Sequence, residues 1–336
     1  MYHSSSLLLA TAGLASAFTN TKVDFFMRKN IDPIVIPGQY KSHMHSFFGS
    51  DAVNVNLSTT AELQQGCATA QNPNDLSVYC KHLLPMSYAR THLERWPLTQ
   101  EKGIPTLYHV EGDKRTPIEP VAFTAYYNFD KDPAEVAIPP NFNVVAGNAQ
   151  AKTVDDLIEG SDVAWLCQNQ AFDAGGKKNS DFPQSPCSTS LQSVLWFPDC
   201  VDTTTLKSAY SNKGTCADGM KRMPQLRFSI RYDTKKAIPD GWKGAPPLEL
   251  ACGSSHCFHG DFINGWLEEA AQTMVTALTE KRKWQAVDGP NGKAKAGSKC
   301  KDKATDADPN NGTNDYAESV KLMAKRRVSM KKRMAM

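Results

Sequence analysis

The stretch Gln225-Leu-Arg-Phe-Ser-Ile-Arg-Tyr232 alternates apolar and polar side chains with a period of two residues. This period is typical of a β-strand that buries one face. Further segments rich in aromatic and β-branched residues, which favour strands, lie at 121–129, 163–167 and 194–197. Twenty prolines and 21 glycines punctuate the chain. The sequence therefore predicts a mainly β fold, a β-sandwich or jelly-roll-like pair of packed sheets with long loops.

Helices are expected to be few and, with one exception, short. Thr59 and Glu62 have the spacing of a capping box, which predicts a short helix that ends near Gly66. One longer helix is predicted in the C-terminal part of the body, over about residues 266–284, because apolar residues recur there at three- to four-residue spacing. These residues are Leu267, Ala270, Ala271, Met274, Val275 and Leu278. We expect this helix to pack on the outside of the sheets.

Composition divides the chain into a globular body and a basic tail. The 336 residues include 38 Lys and Arg and 35 Asp and Glu, and 40% are hydrophobic, which is typical of globular proteins. No apolar run reaches the ~18–20 residues of a membrane-spanning helix, so no transmembrane segment is expected. Residues 287–336 show no sustained core pattern and are rich in polar and basic residues. We expect 18–286 to form a single β-rich globular domain and 287–336 to be a disordered, basic, low-complexity tail.

The N terminus and the cysteines both predict export. An apolar run at 7–14 precedes Ala15-Ser-Ala17, so 1–17 is predicted to be a secretory signal peptide. Nine cysteines without a C-x-x-C pair fit disulfides better than a zinc site. Spacing does not determine their connectivity. The candidate pairs are Cys67–Cys80, Cys167–Cys187, Cys200–Cys216 and Cys252–Cys257, with Cys300 left over. Asn56 and Asn311 begin glycosylation motifs, so a glycoprotein that is secreted, extracellular or in a cell wall is expected.

Two short segments concentrate the histidines, His43-Met-His45 and His256-Cys-Phe-His259-Gly-Asp261. An H-x-H pair on an extended strand places both imidazoles on one face. Such imidazoles can share a metal ion, or one can transfer a proton while the other binds substrate. If the two segments converge, His43, His45, His259 and Asp261 form one polar site. The structural alternative is that the histidines are capped by backbone groups in separate places.

The same segments belong to an ordered series of motifs over about residues 24–266. The series includes Asp32-Pro-Ile-Val-Ile-Pro-Gly38, Ser42-His-Met-His-Ser-Phe-Phe-Gly49, Ala125-Tyr-Tyr127, Phe197-Pro-Asp-Cys200 and Phe258-His-Gly-Asp-Phe-Ile-Asn-Gly-Trp266. It resembles the DUF1996 family of secreted fungal proteins, a domain of unknown function sometimes fused to WSC carbohydrate-binding modules. The resemblance implies secretion and a shared fold, without a known reaction. Val201 stands where the family has Trp, and residues 206–213 lack the family's histidines and acid, which marks a divergent member.

The first function that the residues allow is that of a secreted hydrolase or lyase acting on cell-wall or host polysaccharide. Asp261 would orient His259 while His45 transfers a proton. Aromatic rings able to stack on sugars are the candidate substrate-binding residues, namely Tyr126, Tyr127 and Trp266. The sequence lacks the clear acidic pair of most glycosidases and the G-x-S-x-G motif of α/β-hydrolases.

Two other functions remain open. A non-catalytic glycan-binding or wall-associated protein is favoured by the missing histidines of the 206–213 region. A metal-dependent protein would use His43, His45 and His259 as ligands, since imidazole binds Zn, Cu, Fe and Ni alike. No cofactor other than this possible divalent metal is expected. The expected partner is a polysaccharide or cell-wall glycan rather than a nucleic acid, and the chain is expected to be a monomer.

Overall fold

The computed structural model describes residues 18–80, 104–128, 133–168, 170, 180–277, 283–298, 300 and 304–334, with side chains described as far as residue 325. The predicted signal peptide lies outside these residues. The strands described are β1 (Thr19–Val23), β2 (Phe25–Lys29), β3 (His45–Gly49), β4 (Val78–Cys80), β5 (Leu107–Glu111), β6 (Lys114–Ile118), β7 (Pro120–Tyr127), β8 (Asn143–Gly147), β9 (Ala164–Cys167), β10 (Leu191–Trp196), β11 (Cys200–Val201), β12 (Ser208–Ala209), β13 (Lys221–Arg222), β14 (Leu226–Tyr232), β15 (Leu248–Leu250) and β16 (His259–Ile263). The helices described are α1 (Thr60–Leu63), α2 (Thr234–Ala237), α3 (Glu268–Ala277) and α4 (Tyr316–Met334).

The strands form two five-stranded and two three-stranded antiparallel sheets. The first sheet has the order β1-β7-β14-β10-β9 and the second has the order β2-β3-β4-β16-β8. The small sheets are β12-β11-β13 and β15-β5-β6. The alternating stretch that predicted strands is β14, which pairs with both β7 and β10 in the middle of the first sheet. The prediction of a mainly β fold is confirmed.

The first and second sheets pack face to face through aromatic rings. Phe123 and Phe228 of the first sheet contact Tyr79 of the second, with ring centroids 5.2 and 5.7 Å apart. Gly260 of β16 also faces the first sheet, because a Cβ at this position would lie 2.8 Å from the Phe228 ring and 2.9 Å from Leu195. Side chains alternate along a strand, so the neighbours of Gly260 point to the opposite side. The two sheets form a sandwich, and the second sheet has an outer face directed away from the first.

Both helices that the sequence predicted are present. The backbone N–H of Thr59 donates to Glu62 Oε2 (2.7 Å) and the backbone N–H of Glu62 donates to Thr59 Oγ1 (3.2 Å), which completes the capping box of α1. The longer predicted helix is α3, which packs Ala270 and Met274 into the core. Residues 278–282 of its predicted span lie outside the described residues, and 283–284 are not helical, so the predicted end of the helix is wrong there. No helix among the described residues has the length and apolarity needed to cross a membrane.

The predicted disordered tail differs most from expectation. Val287 is buried in the sandwich core. The side-chain amides of Asn72 and Asn74 donate to the carbonyl oxygens of Val287 (2.9 Å) and Gly292 (2.8 Å). This segment has few apolar residues, but asparagines of the body form hydrogen bonds with its backbone carbonyl groups. The composition of the segment itself gives no sign of these distant partners. The structure therefore has a packed segment at 287–298, at the start of the stretch where disorder was predicted.

The last helix, α4, was not predicted from the sequence. It contains many residues of high helix propensity, chiefly Ala, Leu, Met, Lys and Arg. The carboxylate of Asp315 accepts the backbone N–H of Glu318 (2.8 Å) and so caps the first turn. The helix is 19 residues long against 10 for α3, so the longest described helix lies within the expected tail.

The disulfides require one correction. The structure has the expected pairs Cys167–Cys187, Cys200–Cys216 and Cys252–Cys257. Cys67, however, bonds to Cys300, and Cys80 lies outside the four disulfides. The cause is the packed C-terminal segment, which runs beside residues 68–71 through a Ser298 Oγ to Ala68 O hydrogen bond of 2.5 Å. Cys80 is instead held in the middle of the second sheet.

Candidate functional site

The H-x-H pair lies where the chain returns to the second sheet at the start of β3. His45 is the first residue of β3 and pairs with Lys29 of β2. It shares the outer face of the sheet with Phe47, which packs in an apolar cluster with Ile31 and Ile34 from the preceding loop. His43 belongs to the same loop, which covers this face. The predicted side-by-side arrangement of His43 and His45 is present, with ring centroids 4.2 Å apart.

His259 reaches the same place from β16, two strands away. It pairs with Gly147 of β8, which has φ +79°. A Cβ on Gly147 would lie 2.5 Å from Phe258 O and 3.0 Å from the Cβ of His259. A side chain at 147 would therefore collide with the strand that carries His259, and only glycine lets β8 pair so closely here.

The three imidazoles converge into one group, here called the histidine cluster (His43, His45 and His259). The ring centroids of His43 and His259 are 5.6 Å apart. One nitrogen from each ring can be chosen so that all three lie within 4.8 Å of one another. The exposed fractions of the three residues are 3%, 0% and 0%. The sequence placed these histidines in one site, and the structure brings them together.

Backbone carbonyls orient two of the rings. Nδ1 of His45 bonds to Ile31 O at 2.7 Å, and Nδ1 of His259 bonds to Cys257 O. A carbonyl oxygen only accepts, so each Nδ1 carries a hydrogen, and the neutral form of each ring would have its lone pair on Nε2. A hydrogen bond from the other ring nitrogen to a carbonyl is also the usual outer partner of a metal-bound histidine. The cluster is thus arranged for Nε2 ligation by His45 and His259.

A carboxyl and a thiol share this face of the sheet. Asp261 is two residues from His259 on β16 and is fully buried. Cys80 lies directly opposite Asp261 on β4. Opposed residues of antiparallel strands point to the same side. Asp261 is therefore on the outer face with His259, as the sequence predicted, and the nearby thiol of Cys80 was not foreseen.

A cavity of about 420 Å³ borders the cluster at His43. Its other walls come from the loops at 149–152 and 251–254 and from Met323 of α4. Polar side chains line it at Gln150, Lys152 and Ser254. Its volume lies in the ~300–1,000 Å³ range of small-molecule sites. The cavity gives the otherwise buried cluster one approach through described residues.

The C-terminal segment holds the loop that carries His43. Lys29, just before this loop, forms an ion pair with Asp306 at 2.8 Å. Within the loop, Ser42 O accepts from the hydroxyl of Ser319, also at 2.8 Å, and Ser319 is buried. Tyr316 packs on Tyr108 of β5, with ring centroids 4.8 Å apart. Residues 306–323 therefore form part of the surroundings of the site. The sequence did not indicate this role, because these residues were predicted to be disordered.

The predicted sugar-stacking aromatics lie elsewhere, which corrects their assignment. Tyr127 and Trp266 are 0% and 2% exposed within the sandwich core, so their ring faces are covered by protein. Tyr126 lies on the face of the first sheet that is directed away from the second sheet, with the guanidinium of Arg227 4.2 Å from its ring centroid. Both sheets separate Tyr126 from the histidine cluster. Aromatic residue type is the same for core packing and sugar stacking, so the sequence could not distinguish them.

Tyr127 and Trp266 belong instead to a buried polar chain, here called the core network (Asp75, Tyr79, Tyr127 and Trp266). Trp266 Nε1 donates to Tyr127 OH (3.0 Å), Tyr127 OH bonds to Tyr79 OH (2.9 Å), and Tyr79 OH donates to the Asp75 carboxylate. Burial raises the pKa of Asp75 to about 6, partly offset by hydrogen bonds from Tyr79 and Ser77. Burial also raises the pKa of both tyrosines well above the usual value, so they remain hydrogen donors.

The fold and the site define a disulfide-linked β-sandwich with a buried three-histidine cluster. The chain belongs to the family described as "Domain of unknown function (DUF1996)", which matches residues 32–266, more than half of the sequence. The matched region contains all three histidines and Asp261. No curated protein and no solved structure matched the chain. The recognition of the family from its motifs is confirmed.

Proposed function

We propose that this DUF1996 chain is a metalloprotein in which His43, His45 and His259 bind one divalent transition-metal ion. The observation that carries the proposal is the convergence of three buried imidazoles, with candidate ligand atoms within 4.8 Å of one another. Nitrogens bound to one tetrahedral zinc ion lie about 3.3 Å apart, given Zn–N distances of about 2.0–2.1 Å. Side-chain rotations that move each nitrogen by about 1 Å would close the site.

The ligand set favours a catalytic rather than a purely structural metal. Structural zinc sites usually have four protein ligands, often cysteines, whereas three histidines leave a position for water or substrate. Zn, Cu, Ni and Fe all accept imidazole. A bound metal ion would polarise an oxygen of a substrate or water. The chain's own residues would orient the ligands through Ile31 O and Cys257 O and place Asp261 on the same face.

We further propose that the site acts on cell-wall or host polysaccharide as a hydrolase or lyase. The supporting observation is the polar cavity of about 420 Å³ that borders His43. Gln150, Lys152 and Ser254 supply groups that can hydrogen-bond sugar hydroxyls. Asp261, buried on the same face as His259, would transfer a proton to or from the substrate. Secretion of the protein is part of this proposal, and four disulfides support it.

Metal binding is tested by elemental analysis of protein that has been stripped with a chelator, reloaded with Zn²⁺ or Cu²⁺ and freed of excess ion. We expect one ion per chain in the wild type and none retained in His45→Ala or His259→Ala. The matched control is His109→Ala, which removes a half-buried histidine of β5 outside the cluster. Retention of metal by both cluster variants would disprove the proposed ligand set.

The reaction is tested on the metal-loaded protein with a panel of wall polysaccharides, measuring new reducing ends and the ultraviolet absorbance of unsaturated products. We expect turnover by the wild type and none by His259→Ala. Specific binding of a polysaccharide without either product would replace the catalytic proposal with a glycan-binding function. Metal binding without any response to the polysaccharides would leave the metal site in place and remove the polysaccharide proposal.

A further inference from the structure

The short disulfide Cys252–Cys257 is directly connected to the histidine cluster. The carbonyl oxygen that accepts from Nδ1 of His259 belongs to Cys257. The side chain of the same residue is bonded to Cys252, five residues earlier. The cross-link therefore restrains the peptide unit that fixes the orientation of one imidazole.

Other contacts hold the loop around this bond less directly. Ser254 Oγ donates to Ala151 O (2.8 Å), and Trp165 Nε1 donates to Ser255 O (3.1 Å). These hydrogen bonds anchor the middle of the loop. The covalent bond is what joins its two ends next to His259.

One residue of this pair lines the cavity. Cys252 is half-buried and lines the cavity that borders His43, whereas Cys257 is buried. A small thiol or a dithiol reductant entering the cavity would therefore reach Cys252, which lines it together with His43. The bond lies at a place where solvent chemistry can reach it.

We infer that the Cys252–Cys257 disulfide is a positioning element for His259, and that its reduction weakens metal binding at the histidine cluster. The inference rests on the proposed metal site. In the step itself a dithiol reductant supplies two electrons and two protons, the S–S bond breaks, thiols form on Cys252 and Cys257, and the reductant becomes a disulfide. The peptide of Cys257 then loses its covalent restraint and keeps the hydrogen bond from Phe258 N–H to Ser255 O (3.3 Å), so its carbonyl holds the His259 ring less firmly.

The size of the effect follows from the behaviour of outer partners of metal ligands. Removal of such a partner typically weakens metal affinity by about 10- to 100-fold. A disulfide elsewhere in the fold changes stability through the unfolded chain but has no path to the ligand ring. The two effects can be separated by comparing two disulfides of the same protein.

The experiment compares Cys252→Ser/Cys257→Ser with Cys200→Ser/Cys216→Ser. The control pair closes a longer loop, with a sequence separation of 16 against 5, so its removal should lower the melting temperature at least as much. Zn²⁺ affinity is measured by competition with a chelating dye. The absorption spectrum of the Co²⁺-loaded protein reports the ligand geometry. We expect a Kd at least about 10-fold weaker and an altered Co²⁺ spectrum for the first variant only.

Equal Zn²⁺ affinity in all three proteins would overturn the inference while leaving the metal site intact. Absence of Zn²⁺ binding in the wild type would overturn the proposed function and the inference together. If the first variant does not fold, the wild type is titrated with a dithiol while released metal and alkylated cysteines are followed. Metal release must then track alkylation of Cys252 and Cys257, and release that tracks Cys200 and Cys216 would also overturn it.

Discussion

The two faces of the second sheet each bury a polar group, yet the two groups are built differently. On the inner face, the core network links Trp266, Tyr127, Tyr79 and Asp75 through side-chain hydrogen bonds. On the outer face, backbone carbonyls orient two rings of the histidine cluster, and a cavity borders the third. Strand β4 contributes a side chain to each face, since Tyr79 points inward and Cys80 points outward.

The comparison shows that burial and polarity do not by themselves mark a functional site. The core network pairs its polar atoms with one another and with Ser77, and it lies within close-packed aromatic rings. The histidine cluster directs ring nitrogens at a common point beside a cavity. Convergence of ligand atoms together with an approach from solvent is the feature that favours function. The core network is therefore expected to govern stability and the cluster to govern metal affinity.

The largest expected effect is on stability, through the core network. Trp266→Ala removes a large buried side chain and the donor to Tyr127, so the free energy of unfolding should fall by about 3–5 kcal/mol. The Kd for Zn²⁺, measured by dye competition at a temperature where the variant remains folded, should be unchanged. A large loss of Zn²⁺ affinity in the folded variant would show that the core network and the histidine cluster are energetically coupled.

The next effect is a dependence of stability on pH. The pKa of Asp75 is raised from 3.8 to about 6 in the folded protein, so the folded state binds this proton more tightly than the unfolded state. The contribution of Asp75 is therefore fully present below about pH 4, is lost as pH rises towards 6, and is constant above it. Its upper size is about 3 kcal/mol at 1.36 kcal/mol per pKa unit.

Denaturant unfolding of the wild type and Asp75→Asn at several pH values measures this contribution. The wild type should lose stability relative to the variant between about pH 4 and pH 6. The amide of the variant cannot ionise, so other titrating groups cancel in the difference. A difference that is constant over this range would mean that Asp75 titrates alike in both states.

The third prediction concerns how much Zn²⁺ stabilises a variant of the core network and a variant of the histidine cluster. A ligand that binds only the folded state at 100 times its Kd stabilises it by about 2.7 kcal/mol. Zn²⁺ at that concentration should stabilise the wild type and Tyr127→Phe by the same increment, although the variant starts less stable because it lacks a buried hydroxyl. His45→Ala should gain nothing. Thermal unfolding with and without Zn²⁺ measures the increments, and a reduced increment in Tyr127→Phe would contradict the separation.

Much of the fold was accessible from local patterns, because strands and caps leave short-range signals. The alternation at 225–232 identified β14, and Thr59 with Glu62 identified the start of α1. The two histidine segments named the cluster residues, since imidazole beside glycine and carboxylate has little use in an apolar core. The pattern could not give the direction of Gly260, which faces the first sheet.

Long-range pairing explains the failures. Cys67 and Cys300 are 233 residues apart, and loop-closure entropy changes too slowly with length to exclude such a pair. The buried position of Val287 depends on the amide of Asn72, which no local pattern connects to it. The sequence does not show whether Trp266 packs in the core or stacks on a sugar ring. In each of these errors, the sequence did not show which distant segment of the chain the residue contacts.

The contact between the His43 loop and α4 also has a consequence for the order of synthesis. Ser42 and Ser319, which are hydrogen-bonded, are 277 residues apart. A ribosome adding about 5–20 residues per second makes the second roughly 14–55 s after the first. The histidine-bearing strands thus exist before Met323, which forms the last wall of the cavity. A nascent chain has all three histidines while that wall is still untranslated, so under the proposed metal site an ion arriving at that stage would meet a wider entrance than it would later.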